Sequence, residues 1–272
     1  MTTTRDGVTP GVETAKARTA DPAGAALRLL SYNIRHGGEG REDALASTIM
    51  ASAADVVLLQ EATRPDVIER LAHRTGMAQW GTSHQQSLGF LAKARVDHVE
   101  WHKPRVSRHA FLELVPAGGA VRFFGVHLSA VHAAWTERRR GLEVRALLRT
   151  VERHAHGFHV LAGDFNTLAP GELLDLQRLP FRLRPFVWLS GGHVRWRTVQ
   201  QVLDAGYRDG FRDVQPGETG FTFPTWHPHL RLDYVFVPGA FADRLRWCEV
   251  LTAGAAGRAS DHFPLLAELA LP

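Results

Sequence analysis

Short apolar runs in this chain repeatedly end on Asn, Asp, Glu or His. Leu27–Ile34 (LRLLSYNI) carries Asn33 near its end, and Asp55–Gln60 is followed directly by Glu61. His127 lies at the end of Val121–Leu128, and Asp164 and Asn166 follow Phe158–Ala162. Asp233 interrupts Leu232–Val237, and Asp261-His262 precede Phe263–Leu269. Continuous apolar runs of this length predict buried strands. A polar residue at the end of a buried strand is held rigidly, and several can converge at one rim. A lone Asp or Asn after a strand is ordinarily a turn residue. Recurrence at successive strand ends argues instead for one shared site, built from side chains suited to hard-metal binding and proton transfer.

The segments between these runs set the fold class. Arg41–Ala53 has Ala44, Ile49 and Ala53 near helical spacing. Pro65 opens a helix through Leu71 in the position where proline is tolerated, and Gly76 is placed to stop it. Trp135–His154 is the longest helical stretch. Leu88–Ala92, Ala110–Val115 and Leu245–Leu251 are further strands, and Pro116–Gly119 marks a hairpin. Alternating helices and strands, with hairpins among them, predict an α/β (α+β) fold in which helices cover sheets containing antiparallel pairs.

Composition then bounds the class. The chain has 272 residues, 44% hydrophobic and 22% charged, which is globular. No repeat or Pro/Gly/Ser-rich linker interrupts residues 27–272, so they read as one domain. Residues 1–26 have no apolar run and no secretory core, and are expected to be a disordered tail. No stretch approaches the roughly 20 apolar residues of a membrane span. A single cysteine, Cys248, excludes a disulfide framework or a cysteine-rich zinc module, and reads as a small buried hydrophobe. These features predict a cytoplasmic protein.

The cations are mostly arginine. Lys and Arg total 32 against 28 Asp and Glu, a net charge of +4, and only Lys16, Lys93 and Lys103 are lysines. Arginine forks match phosphate and carboxylate. Residues 176–203 contain no acid and interleave Arg178, Arg182, Arg184, Arg195 and Arg197 with Phe181, Phe186, Trp188 and Trp196. This composition suits a surface that stacks bases and tracks phosphates, and equally a loop resting on lipid headgroups. The competing reading is packed aromatics with solvated arginines. Arg138-Arg139-Arg140 oppose the dipole at a helix start and read as solvated cations. His154, His156 and His159 straddle a helix end and Gly157, so they do not predict zinc.

Six blocks carry a resemblance. Ser31-Tyr32-Asn33-Ile34-Arg35, Leu58-Leu59-Gln60-Glu61, Gly125-Val126-His127-Leu128, Gly163-Asp164-Phe165-Asn166, Arg231-Leu232-Asp233-Tyr234 and Ser260-Asp261-His262 follow one another in order. In this the chain resembles the endonuclease/exonuclease/phosphatase superfamily, and more closely its deoxyribonuclease-like metal-dependent phosphoesterases. The resemblance implies a four-layer α/β/β/α sandwich, with two mixed sheets face to face, helices outside and a site at one rim. It implies Mg2+ or Mn2+ held by Asn33, Glu61 and Asp261, an all-oxygen set suited to a hard cation.

It also implies roles. Asp164 would orient or deprotonate the attacking water, and Asn166 would donate to a phosphate oxygen. Asp233 would fix the tautomer of His262, which acts as base or phosphate clamp. His127 would be the second imidazole, a candidate general acid. Arg35 stands where the abasic-site endonucleases carry an acid or amide, and His127 where they carry Tyr, which demotes abasic-site repair. Arg35 is a phosphate clamp or an ion-pair partner. One departure is clear. Deoxyribonuclease-like members support the His at position 127 with an acid, whereas His84, Gln85, Gln86 and Ser87 offer none here.

The expected function is hydrolysis of phosphate esters by a metal-dependent nucleic-acid phosphodiesterase, endonuclease or exonuclease. The alternatives are a phosphatase or sphingomyelinase-like phospholipase C acting at lipid surfaces or on small phosphate esters, and a non-catalytic binding protein.

Overall fold

The computed structural model describes residues 25–82, 86–130, 133–172, 185 and 196–272. Most of the expected tail, and of the Arg/aromatic segment Arg178, Phe181, Arg182, Arg184, Phe186, Trp188 and Arg195, lie outside the described residues.

In chain order the elements are β1 (Ala26–Asn33), α1 (Glu42–Ser52), β2 (Val56–Gln60), α2 (Pro65–Thr75), β3 (Gln79–Thr82), β4 (Leu88–Ala92), β5 (Val96–His102), β6 (Phe111–Pro116) and β7 (Arg122–His127). There follow α3 (Ala134–Val151), β8 (His159–Asp164), α4 (Thr198–Asp204), β9 (Tyr207–Asp209), α5 (Gly210–Val214), β10 (Asp233–Pro238), β11 (Leu245–Val250), α6 (Ala256–Ala259) and β12 (Leu265–Ala270). The helix α2 has its proline in the first turn and ends at Gly76, which adopts φ 68° and donates back to the last turn.

Two six-stranded sheets form, in the orders β11-β12-β1-β2-β4-β3 and β5-β6-β7-β8-β10-β9. Each is mixed: β1 runs parallel to β2 and β7 parallel to β8, while their other neighbours are antiparallel.

The period-two alternation of each strand sorts side chains into layers. Leu29, Leu58, Phe123, Val160 and Val235 pack between the sheets. Their neighbours Leu30, Val57 and Leu59 pack outward against Leu45 and Ile49 of α1 and Ile68 and Leu71 of α2. Phe124, Leu161 and Phe236 pack outward against Val144 and Leu147 of α3 and Val199 and Val202 of α4. The result is the four-layer α/β/β/α sandwich.

The same alternation positions the polar residues. Counting by twos from the inter-sheet core gives Leu29, Ser31, Asn33 on β1 and Val56, Leu58, Gln60 on β2. It gives Phe123, Gly125, His127 on β7, Val160, Ala162, Asp164 on β8, and Val237, Val235, Asp233 on β10. Each inward stripe turns polar at the same end of the sandwich. Register aligns the ends: His127 pairs with Asp164, and Asp164 with Asp233.

Candidate active site

Asp164 is the centre of this rim. Its Oδ2 accepts from Asn33 Nδ2 and Asn166 Nδ2, each at 3.0 Å, and its Oδ1 accepts from the Asn166 N–H at 2.8 Å. The sheets thus meet at one carboxylate, since Asn33 comes from β1 and Asp164 from β8. His127 Nε2 and His262 Nε2 stand 3.8 and 3.9 Å from the same Oδ2. That is beyond hydrogen-bond reach and suits an oxygen ligand shared between the imidazoles. Asn166, expected to donate to phosphate, has its amide engaged by Asp164 and by Leu128 O at 3.2 Å. It positions Asp164.

His262 Nδ1 bonds to Asp233 Oδ2 at 2.8 Å. Burial alone would strip this imidazole of charge, but the Asp233 and Asp164 carboxylates outweigh it and raise its pKa to about 10. Burial, with Asp233 nearby, pushes Asp164 up to about 7, against the pull of His262 and the bonds from Asn166 and Asn33. Burial, and then the neighbouring His109, His262 and Arg108, hold His127 far below the ordinary imidazole value. The two imidazoles that flank Asp164 therefore differ in charge at neutral pH, His262 cationic and His127 neutral.

The missing acid is replaced by a hydroxyl: Ser87 Oγ lies 2.6 Å from His127 Nδ1 and accepts the Glu61 N–H at 3.2 Å. The His109 ring stacks on His127 with centroids 4.6 Å apart and planes 1° from parallel. Neither Ser87 nor His109 stands out in the sequence, where only an acid signals support for a histidine.

Glu61 lies at the edge of the rim. Its Oε2 accepts the His36 N–H at 2.5 Å, and Asn33 Nδ2 is 3.5 Å from its Oε1. Asn33 Oδ1, expected to face a metal, accepts the Arg35 N–H at 3.0 Å. Asp261 is not drawn into the cluster around Asp164; its Oδ2 pairs with Arg35 Nε at 3.4 Å. The three ligand groups that lie within 4.8 Å of one another here are Asp164, Asp233 and His262. Among the described residues, five that are not glycine have positive φ, and four of them, Arg35, His36, Glu61 and Asn166, lie at this rim. Such backbone costs about 1–3 kcal/mol per residue and persists only where its surroundings enforce it.

The rim is also rich in carboxylates. The carboxylates of Glu61, Asp164, Asp233 and Asp261 face two cations, Arg35 and His262, and Asp233 Oδ1 is buried with no hydrogen-bond partner. Carboxylates gathered in this number, with Glu61 and Asp261 outside the cluster around Asp164, fit a hard divalent cation.

A second group braces the loop after β7. Arg140, expected to be solvated, is fully buried, with bonds to Glu137 Oε2 and Ser129 O. Glu137 in turn accepts the N–H groups of Arg197 and Thr198, and so fixes the entry to α4.

The sequence model described as "Endonuclease/Exonuclease/phosphatase family" matches residues 30–262. The chain belongs to this family. No curated protein sequence matches it. Solved structures of the family superpose over most of its length. A Neisseria 3' phosphatase, NExo, bound to a product DNA hairpin is 19% identical, with a TM-score of 0.67 over 89% of this chain and 99% of that one. An AP endonuclease from Archaeoglobus fulgidus is 16% identical, with a TM-score of 0.68 over 89% and 98%. A family member from Beutenbergia cavernae is 22% identical, with a TM-score of 0.68 over 90% and 72%. At these identities the likeness establishes the fold. No helix among the described residues is long and apolar enough to cross a membrane.

Proposed function

We propose that this family member is a divalent-metal-dependent phosphodiesterase acting on nucleic acid. The observation that carries the reading is Asp164 Oδ2, held by two amides and faced by a cationic and a neutral imidazole. Asp164 takes the proton of the attacking water or orients it. A pKa near the working pH suits a general base. His262, kept cationic by Asp233, binds a non-bridging phosphate oxygen as charge develops. His127, neutral, donates a hydrogen bond to the substrate. Asn33 and Asn166 hold Asp164 in place. Glu61 and Asp261, with Asn33 beside them, would hold Mg2+ or Mn2+, which when bound supplies Lewis-acid stabilisation of the phosphate and the leaving oxygen. Arg35 lies on the exposed side of the rim, beside Asp261, where it meets phosphate.

Nucleic acid is favoured over lipid by the aromatic step beside His262. Phe223 packs on His262 with centroids 4.8 Å apart, and Trp226 packs on Phe223 at 6.3 Å while 68% exposed. A single exposed ring next to a phosphate site suits one stacked base. The NExo structure, with its DNA hairpin, supports the same reading.

Turnover of single-stranded DNA, duplex DNA, RNA, sphingomyelin vesicles, inositol phosphates and an aryl phosphodiester should be compared with Mg2+, with Mn2+ and with EDTA. The reading predicts nucleic-acid cleavage that EDTA abolishes. Undiminished turnover in metal-stripped protein would overturn the metal requirement. Activity confined to sphingomyelin or inositol phosphates would overturn the substrate.

A further inference from the structure

A cluster of titratable residues lies away from the rim, on the helix-covered face of the second sheet. Strand β5 reads His98-x-Glu100-x-His102, so period two puts all three side chains on one face. Glu100 is the direct register partner of Glu113 on β6. Glu113 in turn pairs with Phe124, which packs towards α3, so the cluster shares that face. Register sets Glu113 level with Phe124, three residues before His127 on β7, which places the cluster about 10 Å from the rim along the strand and on the other face of the sheet; Arg122 lies beside it.

Two like charges placed directly opposite across strands destabilise a sheet. Glu113 is almost fully buried, which raises that cost. Arg122 Nη1 bonds to Glu113 Oε1, and His102 Nε2 bonds to Glu113 Oε2 at 2.5 Å. Those contacts answer one carboxylate and fix its orientation, as outer hydrogen bonds to ligating carboxylates do. Glu100 gains no such partner: His102 Nδ1 and His98 Nε2 stand 3.4 and 3.6 Å from its oxygens.

His98 decides the chemistry. Its Nε2 lies 3.6 Å from Glu100 Oε2 and 3.5 Å from Glu113 Oε1, facing both without a good hydrogen bond to either. His154, from the turn after α3, places its Nε2 3.5 Å from the same Glu113 oxygen. Ligand atoms about 2.0–2.1 Å from a tetrahedral zinc ion are separated by roughly 3.4 Å. The ligand atoms of His98, Glu100 and Glu113 all lie within 4.8 Å of one another, at the mouth of an open cavity also lined by Arg122, Arg153 and His154. Imidazole and carboxylate together suit zinc and its neighbours among the transition metals better than Mg2+.

We propose that His98, Glu100 and Glu113, with His154 beside them, form a second metal site, of the zinc class. The ion would sit between the opposed carboxylates and tie edge strand β5 to β6 and to the end of α3. This inference does not depend on the proposed activity. His154 was unpromising in sequence because its neighbours His156 and His159 cannot complete a site. His159 is buried against Tyr207 Oη at 2.6 Å, and the partners of His154 come from β5 and β6.

The test is calorimetric titration of the full chain with Zn2+ in excess Mg2+, which saturates an oxygen-ligand site. One equivalent should bind. His98→Ala and Glu100→Gln, both at exposed positions, should each weaken binding by at least about 10-fold, the scale of losing a group that holds a metal. His156→Ala, exposed and outside the cluster, should leave it unchanged. Imidazole NMR signals of His98 and His154 should shift saturably with Zn2+. Zinc affinity unchanged in both cluster variants, absence of binding, or loss of binding in Glu61→Gln instead would overturn the proposal.

Discussion

Ser87 Oγ sits between two residues of the rim, 2.6 Å from His127 Nδ1 and 3.2 Å from the Glu61 N–H. A hydroxyl orients an imidazole but cannot stabilise its cation as a carboxylate does. Burial and the neighbouring His109, His262 and Arg108 keep His127 a neutral ring, and Ser87 fixes how it is turned. Ser87→Ala should lower kcat by about 10- to 100-fold with little change in KM, the scale of a misplaced catalytic group. Ser87→Glu should raise the His127 pKa, read by NMR titration of its imidazole. An unaltered kcat in Ser87→Ala would remove Ser87 from the machinery.

Loss of Asp164 or His262 should cost far more. Asp164→Ala and His262→Ala are each expected to slow single-turnover cleavage by at least ~10²-fold, as for a lost general base or charge stabiliser. Asp233→Asn should cost less, because it disturbs the orientation and charge of His262 without deleting the ring. Circular dichroism should show all three folded. Near wild-type rates in either alanine variant would show that its assigned role is wrong.

The layers and the site residues differ in how they were encoded. The central strands were legible because burial on both faces makes them continuous apolar runs, and the polar rim was legible because it ends those runs. β3, β5 and β9 were not. All three are sheet edges, short or carrying charges such as Asp97, Glu100 and Arg208, which protect an edge from pairing and erase the apolar signal. Arg140 looked solvated because a partner such as the Ser129 carbonyl, eleven residues away, is brought to it only by the fold. Ser87 lies in the segment where an acid was expected, but its contact with His127 follows from β4 lying beside β2, a tertiary fact.

Acid should loosen the protein through His109. Burial, reinforced by Arg108, lowers its pKa to about 4 from an ordinary 6.5. The unfolded chain therefore takes up this proton first. The stability that His109 contributes is whole above pH 6.5 and is lost as pH falls towards 4. His127, shifted the same way, adds to it. Asp164, raised to about 7, works the other way across the same window, so the difference between proteins is what reads His109: acid should lower the urea midpoint by more, or raise it by less, in the unaltered protein than in His109→Gln. An equal slope in the variant would exclude His109 as a source.

Gly163 shows how closely β8 must approach β7. It has φ 152°, and a Cβ there would meet Val126 O at 1.9 Å. Backbone cannot yield as a flexible side chain can. Gly163→Ala should therefore destabilise the fold by roughly 3 kcal/mol or more, at the upper end of overpacking. Thermal denaturation checks this, with Gly171→Ala as comparison, since a Cβ there meets nothing within 4 Å although its φ of 84° adds strain. Equal losses in the two variants would mean that the contact with Val126 contributes nothing.

Trp226 tests what the rim is shaped to receive. Phe223 separates it from His262, so the indole lies one ring outward from the phosphate site. If a base adjoining the scissile phosphate stacks there, Trp226→Ala should raise KM for single-stranded DNA by an amount worth about 1–3 kcal/mol of lost stacking. Trp226→Phe should recover part of it, because stacking needs a ring face and not the indole N–H. Turnover of an aryl phosphodiester with no second aromatic group should be unaffected, since that substrate ends at the phosphate. Trp135 is also exposed, on α3, and Trp135→Ala serves as the control for general loss of a surface aromatic. Equal KM effects from the two substitutions would remove Trp226 as the stacking ring. An effect of Trp226→Ala confined to vesicle-bound substrates would point to a lipid surface instead.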